Sequence, residues 1–221
     1  MDEKIKETLT TYLDSQSSSQ ETAQDLRNII DGSVAEPDEA TYNLFQHILD
    51  RMRTYAPDSV KLDELTSLLQ SLKRLEPTSK VDWSNLIPLG MLIRELWNVS
   101  GPGKGDWQTI NGFAARLEEG RVLDLANFGI WAMRAALEAS EAREDELAAA
   151  SAWIQYAGSR MYGLSVQGVL GTTATKGGTR WRGDSGYSLG RWALWKDRLS
   201  EISGDDERAA VMLKRMQEIE Q

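Results

Sequence analysis

Hydrophobic positions recur at helical spacing along most of the chain. Near the N-terminus, for example, Ile5, Leu9 and Leu13 fall on one face of a helix. Apolar residues three and four positions apart are typical of amphipathic helices, and no run shows the period-two alternation of a β-strand. The pattern predicts an all-α fold, a bundle of about nine or ten helices that forms a single domain over residues 1–221. Residues 1–35 could instead form an N-terminal helical arm.

One segment, residues 122–138, is apolar nearly all the way round. It lacks the polar face of the other helices and carries bulky side chains such as Leu125, Phe128, Trp131 and Met133. A helix that is hydrophobic on every side is normally surrounded by other helices. We therefore expect residues 122–138 to form a buried central helix, around which the rest of the bundle packs.

Capping signals indicate where several helices begin. Ser18 and Glu21 have the spacing of a capping box, and Pro37 suits the first residue of a helix. Asp58 or Ser59 precedes a leucine-rich stripe and can cap it. The sequence thus predicts three helices that begin directly after these signals.

Glycine is concentrated in residues 163–186. Seven of the 18 glycines of the chain fall there, namely Gly163, Gly168, Gly171, Gly177, Gly178, Gly183 and Gly186. A loop of this length inside a compact domain is usually a lid, a binding loop or a disordered segment. We predict a long glycine-rich loop over residues 163–186, and these three alternatives stay open.

Composition narrows the chemistry. The chain has no cysteine and one histidine, His47, which lies off the apolar stripe of its helix and is expected at the surface. Without cysteine there is no disulfide, zinc–thiolate site or thiol nucleophile. The charged N-terminal segment does not read as a secretory signal, and no stretch of 18 apolar residues could span a membrane. We expect a cytoplasmic protein without a membrane partner; a nuclear location stays open.

Glycine-rich and acidic segments raise cofactor hypotheses that their residues do not support. GPGKGD over residues 101–106 and GTTATKGG over residues 171–178 both lack the spacing of a phosphate-binding P-loop. EAREDE over residues 141–146 and GDDER over residues 204–208 are expected at helix starts, because the helix dipole favours carboxylates there. We therefore predict no metal and no cofactor.

Charge distinguishes one region from the rest. The net charge of −9 disfavours nucleic acid as a partner, since phosphate binding requires clustered Lys and Arg. Residues 164–200 nevertheless carry six cations against two carboxylates, interleaved with Trp181, Tyr187, Trp192 and Trp195. Such residues can pack as a seam between helices, line a pocket for an anionic or aromatic small molecule, or anchor a protein partner.

An ordered series of short motifs runs through the chain. The series is G-x-x-x-R-E-x-W-N over residues 90–98, W-x-x-x-N-x-F-A-A-R-L over 107–117, F-x-I-W-A over 128–132, W-I-Q-Y-A-G over 153–158 and L-x-x-W-x-x-W-K-x-R-L over 189–199. It resembles a fungal all-helical family known only as a domain of unknown function, over roughly residues 40–200. The resemblance implies an all-α fold and a fungal intracellular setting. It carries over no activity, cofactor or catalytic residue.

Several polar residues of these motifs lie within or beside apolar stripes. They are Arg94, Glu95, Asn98, Asn111, Arg116, Gln155, Tyr156 and Arg160. Buried polar groups need hydrogen-bond partners. These residues therefore either form a structural network, which we favour, or line a cavity.

The function predicted from these residues is small-molecule binding at a site lined by Trp and Arg. The predicted ligand-binding residues are Arg94, Trp97, Asn98, Trp153, Tyr156, Arg160, Trp192, Trp195 and Lys196. If the protein is a metal-independent enzyme, Glu95 or Tyr156 would act as general acid or base. The alternative is a protein-interaction module that uses exposed Trp and Arg side chains as anchors. Enzymatic activity and oligomeric state stay open.

Overall fold

The computed structural model describes residues 1–15, 17–33, 36–141 and 143–221. Over these residues the chain forms ten α-helices and no strand, with one isolated bridge between Leu170 and Gly186. The all-α prediction is confirmed. The helices are α1 (Asp2–Asp14), α2 (Ser19–Asp31), α3 (Pro37–Met52), α4 (Val60–Lys73), α5 (Ile87–Val99), α6 (Trp107–Glu119), α7 (Ala126–Leu137), α8 (Glu144–Gln167), α9 (Leu189–Ile202) and α10 (Glu207–Ile219).

Most predicted helix starts are confirmed by cap hydrogen bonds. The Ser18 side chain accepts from the backbone N–H groups of Gln20 and Glu21, and Ser59 accepts from Lys61. Pro37 is the first residue of α3. The two acidic segments lie at helix starts as predicted, and Asp206 caps α10 by accepting from Ala209. The predicted segments also include Gln16, Val34, Ala35 and Ala142, which lie outside the described residues.

The described residues group into two compact units. The first comprises Met1–Gly101 and Gly120–Leu123 and contains α1 to α5. In it α2 packs against α4, α3 packs against α5, and α1 contacts both α2 and α3. The single-domain prediction for residues 1–221, and the alternative of an N-terminal arm over residues 1–35, stay predictions.

The second unit comprises Pro102–Glu119 and Asp124–Gln221 and contains α6 to α10. The long helix α8 packs against each of the other four helices. Its buried alanines, Ala148 to Ala150, leave room for close approach, and Trp153, Ile154 and Met161 continue the buried face. Helix α8 is therefore the element on which this unit is assembled.

The predicted central helix, residues 122–138, is shorter than expected. Helix α7 begins at Ala126, and its side chains are largely buried, as its composition indicates. It begins late because Arg121 adopts a left-handed conformation with φ 54° and the Leu125 N–H is donated to the Glu118 carboxylate, 2.6 Å away. The hydrophobic pattern correctly predicted that this segment is buried, but it did not predict the turn that precedes the helix.

The predicted glycine-rich loop, residues 163–186, begins five residues later than expected. Helix α8 continues through Gly163 to Gln167, because Leu164 and Ser165 still fall on its buried face. Gly168, in the left-handed conformation with φ +63°, ends the helix. Packing thus overrides the low helix propensity of Gly163, and the loop connecting α8 to α9 starts at residue 168.

Candidate functional site

The predicted site residues fall into two groups in different units. Arg94, Glu95, Trp97 and Asn98 lie on α5 of the first unit, where Trp97 is half-buried and the other three are exposed. The second unit holds the remaining six, which are Trp153, Tyr156 and Arg160 on α8 and Trp192, Trp195 and Lys196 on α9. That these residues bind a ligand stays a prediction.

The three tryptophans of the second unit are core residues. Trp153, Trp192 and Trp195 are all almost completely buried. Each indole N–H has a partner: Trp153 donates to the side-chain oxygen of Asn111 at 3.0 Å, and Trp192 and Trp195 each donate to a carboxylate at 2.8 Å. These side chains are therefore not available as exposed anchors.

The polar residues beside these tryptophans contact other side chains. The Arg116 guanidinium lies 3.5 Å from the centre of the Tyr156 ring, and the Arg160 Nε donates to Glu118 at 3.1 Å. Burial raises the pKa of Glu118, although the hydrogen bonds from Leu125 and Arg160 oppose that rise. Asn111, Arg116, Tyr156 and Arg160 thus each contact another side chain of the second unit, whereas a single connected network stays a prediction.

A buried ion pair that the sequence analysis missed organises the second unit. Glu138 follows the last residue of α7, Arg191 lies in the first turn of α9, and neither side chain is exposed to solvent. The Arg191 Nε donates to Glu138 Oε1 at 2.7 Å, and Nη2 donates to Oε2 at 3.1 Å. The Trp195 indole and the Gly178 N–H add a donor to each oxygen. We call this cluster of Glu138, Arg191, Trp195 and the backbone they bind the Glu138 hub.

The Glu138 hub holds the glycine-rich loop in place. Arg191 Nη1 donates to the carbonyl oxygens of Thr175 and Gly186, both at 2.8 Å. From α7, the Trp131 indole and the Arg134 guanidinium donate to the carbonyl of Ala174. The loop is therefore held by side chains from α7, from Glu138 directly after it, and from α9.

One feature of the sequence, which the sequence analysis did not use, indicates the Glu138 hub. A carboxylate at the C-terminal end of a helix meets the negative end of the helix dipole, which disfavours it. Glu138 occupies such a position directly after an apolar helix, so a buried cation is needed to stabilise it. Arg191 was counted among the cations of residues 164–200, but its partner was not sought.

The first unit contains an apolar groove that the sequence analysis also missed. It has a volume of about 510 Å³ and lies between α3 and the segment that leads into α5. Its apolar wall consists of Tyr42, Phe45, Trp83, Leu86, Ile87 and Met91. We call it the Trp83 groove. Its volume lies within the range of ordinary small-molecule sites.

Trp83 brings an unsatisfied hydrogen-bond donor to this groove. The side chain is 1% exposed, yet its Nε1 has no hydrogen-bond partner among the described residues. Buried polar groups in folded proteins are nearly always paired, so the partnerless indole N–H of a residue that lines a cavity is a candidate donor to a bound acceptor. Trp83 lies between Pro77 and Pro88, in a segment that the sequence analysis did not single out.

Local hydrogen bonds fix the loop that carries Trp83. The Asp82 carboxylate accepts from the Ser84 N–H at 2.9 Å, and the Asn85 side chain accepts from the Ile87 N–H at 3.2 Å. Between them Leu86 adopts a left-handed conformation with φ 49°, which is unfavourable for a residue with a branched side chain. Strained backbone of this kind persists where its surroundings determine it, often at ligand sites.

Charged residues line the polar edge of the groove. Asp38 from the first turn of α3 and Asp82 supply two carboxylates, and Lys80 supplies one ammonium group. Lys80 Nζ donates to the carbonyl oxygens of Asp31 and Ser33 at 2.7 and 2.9 Å. Within the described part of the chain, neither Asp38 nor Asp82 is ion-paired, so their negative charge remains available at the edge.

His47 does not line the Trp83 groove, and its side chain pairs with Asp2 near the N-terminus. Its Nε2 lies 2.5 Å from the Asp2 carboxylate, and the Lys6 ammonium also contacts that carboxylate. The two hydrogen bonds, that from Lys6 being the stronger influence, lower the pKa of Asp2 to about 2. His47 therefore links α3 to the start of α1.

A comparison with protein-family models gives a match over most of the chain. Residues 46–199 match the model of a family described as "Protein of unknown function (DUF3632)", and this segment is well over half of the chain. The chain belongs to this family. The resemblance predicted from the motifs is therefore confirmed, with nearly the predicted bounds. No curated protein and no solved structure is similar enough to count as a match.

The DUF3632 segment contains both clusters described above. It includes Glu138, Arg191 and the wall of the groove from Lys80 to Met91, but it begins after Tyr42 and Phe45. Among the described residues, no helix is long and apolar enough to cross a membrane. The same residues hold no group of three or more metal-binding side chains placed to share an ion.

Proposed function

We propose that this protein binds a small, largely apolar molecule in the Trp83 groove. The observation that carries the proposal is the buried Trp83 N–H without a partner in the lining of a cavity of about 510 Å³. Leaving a buried donor unpaired costs about 1–3 kcal/mol. A ligand that supplies an acceptor recovers that cost and gains the burial of its apolar part against the exposed side chains of Tyr42, Ile87 and Met91.

Rigidity of the wall supports the proposal. The side chains of Thr78, Asp82 and Asn85 accept hydrogen bonds from backbone N–H groups within the loop, which sets the position of Trp83 before a ligand arrives. A site that is already formed loses little conformational entropy on binding. In contrast, Trp153, Trp192 and Trp195 of the second unit are almost fully buried, and each of their N–H groups already has an acceptor.

Binding, rather than catalysis, is the proposed activity. Hydrogen bonds from Ser84 lower the pKa of Asp82, and a carboxylate with a lowered pKa is a weak general base. Lys80 already donates to two backbone carbonyls. The groove thus offers shape, apolar area and one hydrogen-bond donor.

Indole N–H resonances of ¹⁵N-labelled protein provide the test. The chain has eight tryptophans, and the Trp83 resonance is identified by its loss in Trp83→Phe. On titration with N-propyloctanamide, an uncharged amphiphile with one amide carbonyl, we expect the Trp83 resonance to move and to saturate. A shift that never saturates, or saturating shifts at other indoles alone, would contradict the proposal.

Two tryptophan variants separate the contribution of the Trp83 indole N–H to ligand affinity from general effects of replacing a tryptophan. Trp83→Phe retains an aromatic ring but lacks the donor, so we expect the affinity for the amide to fall about fivefold, equivalent to about 1 kcal/mol. Trp181→Phe is the control, because the Trp181 indole already donates to the Asp184 carbonyl in the second unit at 2.8 Å. Its affinity for the amide should equal that of the wild type.

We also propose a fungal, cytoplasmic setting. The motif resemblance to a fungal family and the net charge of −9 support it, since an acidic surface suits a dispersed protein and disfavours nucleic acid. Imaging of a fluorescent fusion in a fungal cell tests this setting. Diffuse cytoplasmic signal is expected, whereas nuclear or membrane-bound signal would contradict it.

A further inference from the structure

We infer that the Trp83 groove selects ligands that carry a positive charge beside a hydrogen-bond acceptor. This inference rests on the proposed function and assigns a chemical class to the ligand, an amphiphilic amine with a carbonyl or similar acceptor. Three features of the groove support it: the partnerless Trp83 N–H, the unpaired carboxylates at its edge and its aromatic wall.

The acceptor is required by Trp83. An indole N–H is a donor and cannot accept, so an amine or hydrocarbon alone leaves it unpaired. Because this donor is almost fully buried, a ligand that reaches it must bring the acceptor on its apolar part. A carbonyl flanked by hydrocarbon meets that condition.

The positive charge is favoured by the edge of the groove. Asp38 and Asp82 are two carboxylates that no cation of the described residues neutralises, against the single ammonium of Lys80. The Lys80 ammonium is directed to the carbonyls of Asp31 and Ser33 at the end of α2, whose dipole it complements. A cation at this edge thus meets an excess of negative charge, whereas an anion meets repulsion.

The aromatic wall adds to the preference for a cation. Of the aromatic side chains that line the groove, Tyr42 is 43% exposed, and an aromatic face attracts a cation within about 6 Å of the ring centre. The net charge of −9 acts in the same direction over longer distances, since it raises the encounter rate of cationic ligands at low salt. Each effect is small, but all act with the same sign.

Three matched amphiphiles test the inference on the full-length protein. N-(2-aminoethyl)octanamide, N-propyloctanamide and N-octanoylglycine share an acyl chain and an amide carbonyl, but they are cationic, neutral and anionic at pH 7. With the Trp83 indole resonance as readout, we expect the cation to bind at least about fivefold more tightly than the anion, with the neutral amide between them. Added salt should reduce the difference.

A pair of neighbouring variants provides the control. Asp38→Asn removes a carboxylate that lines the groove, and Glu39→Gln removes one from the same helical turn that does not. Both change the net charge equally. We expect Asp38→Asn to reduce the ratio of cation to anion affinity about twofold or more, and Glu39→Gln to leave it unchanged.

The outcomes distinguish this inference from the proposed function. Saturable binding of all three amphiphiles with equal affinity, or an equal effect of Asp38→Asn and Glu39→Gln, overturns the charge preference and leaves the binding groove intact. If none of the three moves the Trp83 resonance, the proposed function fails and the ligand class fails with it.

Discussion

The Glu138 hub and the Trp83 groove both place polar groups among buried apolar side chains, but they differ in how those groups are satisfied. In the hub, each oxygen of the Glu138 carboxylate accepts two hydrogen bonds, and Arg191 donates to loop carbonyls as well. In the groove, the Trp83 N–H has no acceptor among the described residues. The polar groups of the hub are all satisfied within the chain, whereas the groove retains one unsatisfied donor.

This difference separates structural residues from candidate functional ones. Tryptophan and arginine occur at interfaces and in binding sites, so their presence alone favoured residues 164–200 as a site. Once every donor has an acceptor, however, such a cluster stabilises the fold and has no hydrogen-bonding group left to bind a ligand. A missing hydrogen-bond partner is therefore better evidence for a ligand site than the abundance of one residue type.

The largest expected effect comes from breaking the hub. Arg191→Met leaves the Glu138 carboxylate buried without its cation and should lower the free energy of unfolding by about 3–5 kcal/mol. Denaturant unfolding followed by circular dichroism measures it.

The control for that variant lies on the same helix. Lys196 pairs with Glu220 at 2.6 Å in a partly exposed position, so Lys196→Met should cost less than about 1 kcal/mol. Similar costs for the two variants would show that the Glu138 hub is no more important than a surface ion pair.

One substitution made in both regions compares them directly. Trp195→Phe and Trp83→Phe remove the same atoms from two almost fully buried indoles, but only the Trp195 N–H donates to a carboxylate. We expect Trp195→Phe to cost about 1.5–3 kcal/mol more than Trp83→Phe, because it also removes a hydrogen bond to a charged group. Equal losses in denaturant unfolding would mean that the Trp83 N–H is satisfied after all.

Glycine substitutions locate the boundary of the loop that the hub holds. Gly163 lies inside α8 with no atom near the position of an added Cβ, so Gly163→Ala should stabilise the protein by about 0.5–1 kcal/mol. Gly168 has the same open surroundings but φ +63°, so Gly168→Ala should destabilise it by about 1 kcal/mol. Thermal unfolding of both variants measures these effects, and matching signs would place the end of α8 elsewhere.

The smallest expected effect is a change in the stability of the folded chain at acidic pH, which arises from Asp82 at the edge of the groove. Hydrogen bonds from Ser84 lower the pKa of Asp82 below 3.8, the ordinary value of an aspartate. Ionised Asp82 therefore stabilises the folded chain above pH 3.8, and this stabilisation is lost as the pH falls through the lowered pKa. Wild type and Asp82→Asn should differ slightly in unfolding midpoint at pH 5 and converge in strong acid. A difference that grows in acid would contradict this assignment.

The sequence predicted more of the fold than of the candidate site, for physical reasons. Helical periodicity and caps are local, so Ser18, Pro37 and Ser59 marked helix starts correctly. The length of α8 depended on packing at Leu164 and was underestimated. The hub joins residues 53 positions apart in the chain, and no local pattern pairs Glu138 with Arg191.

The Trp83 groove was missed for a different reason. Its signal is the lack of a hydrogen-bond partner, and a sequence shows which donors exist but not which are satisfied. No pattern in the sequence singled out Trp83, which lies between Pro77 and Pro88. The predicted residues on α5, α8 and α9 were selected by type and spacing, which give no information on whether a polar atom is already paired.

The separation between Glu138 and Arg191 has a consequence for biosynthesis. Every residue of the first unit precedes residue 124, so that unit can close while the rest of the chain is still on the ribosome. The second unit must wait, because Glu138 emerges long before the arginine that neutralises it, and Trp192 then requires Glu220 at the far end of the chain. Until Arg191 emerges, the nascent chain carries a carboxylate prepared for burial with no counter-ion, and that interval is when chaperones would have most to protect.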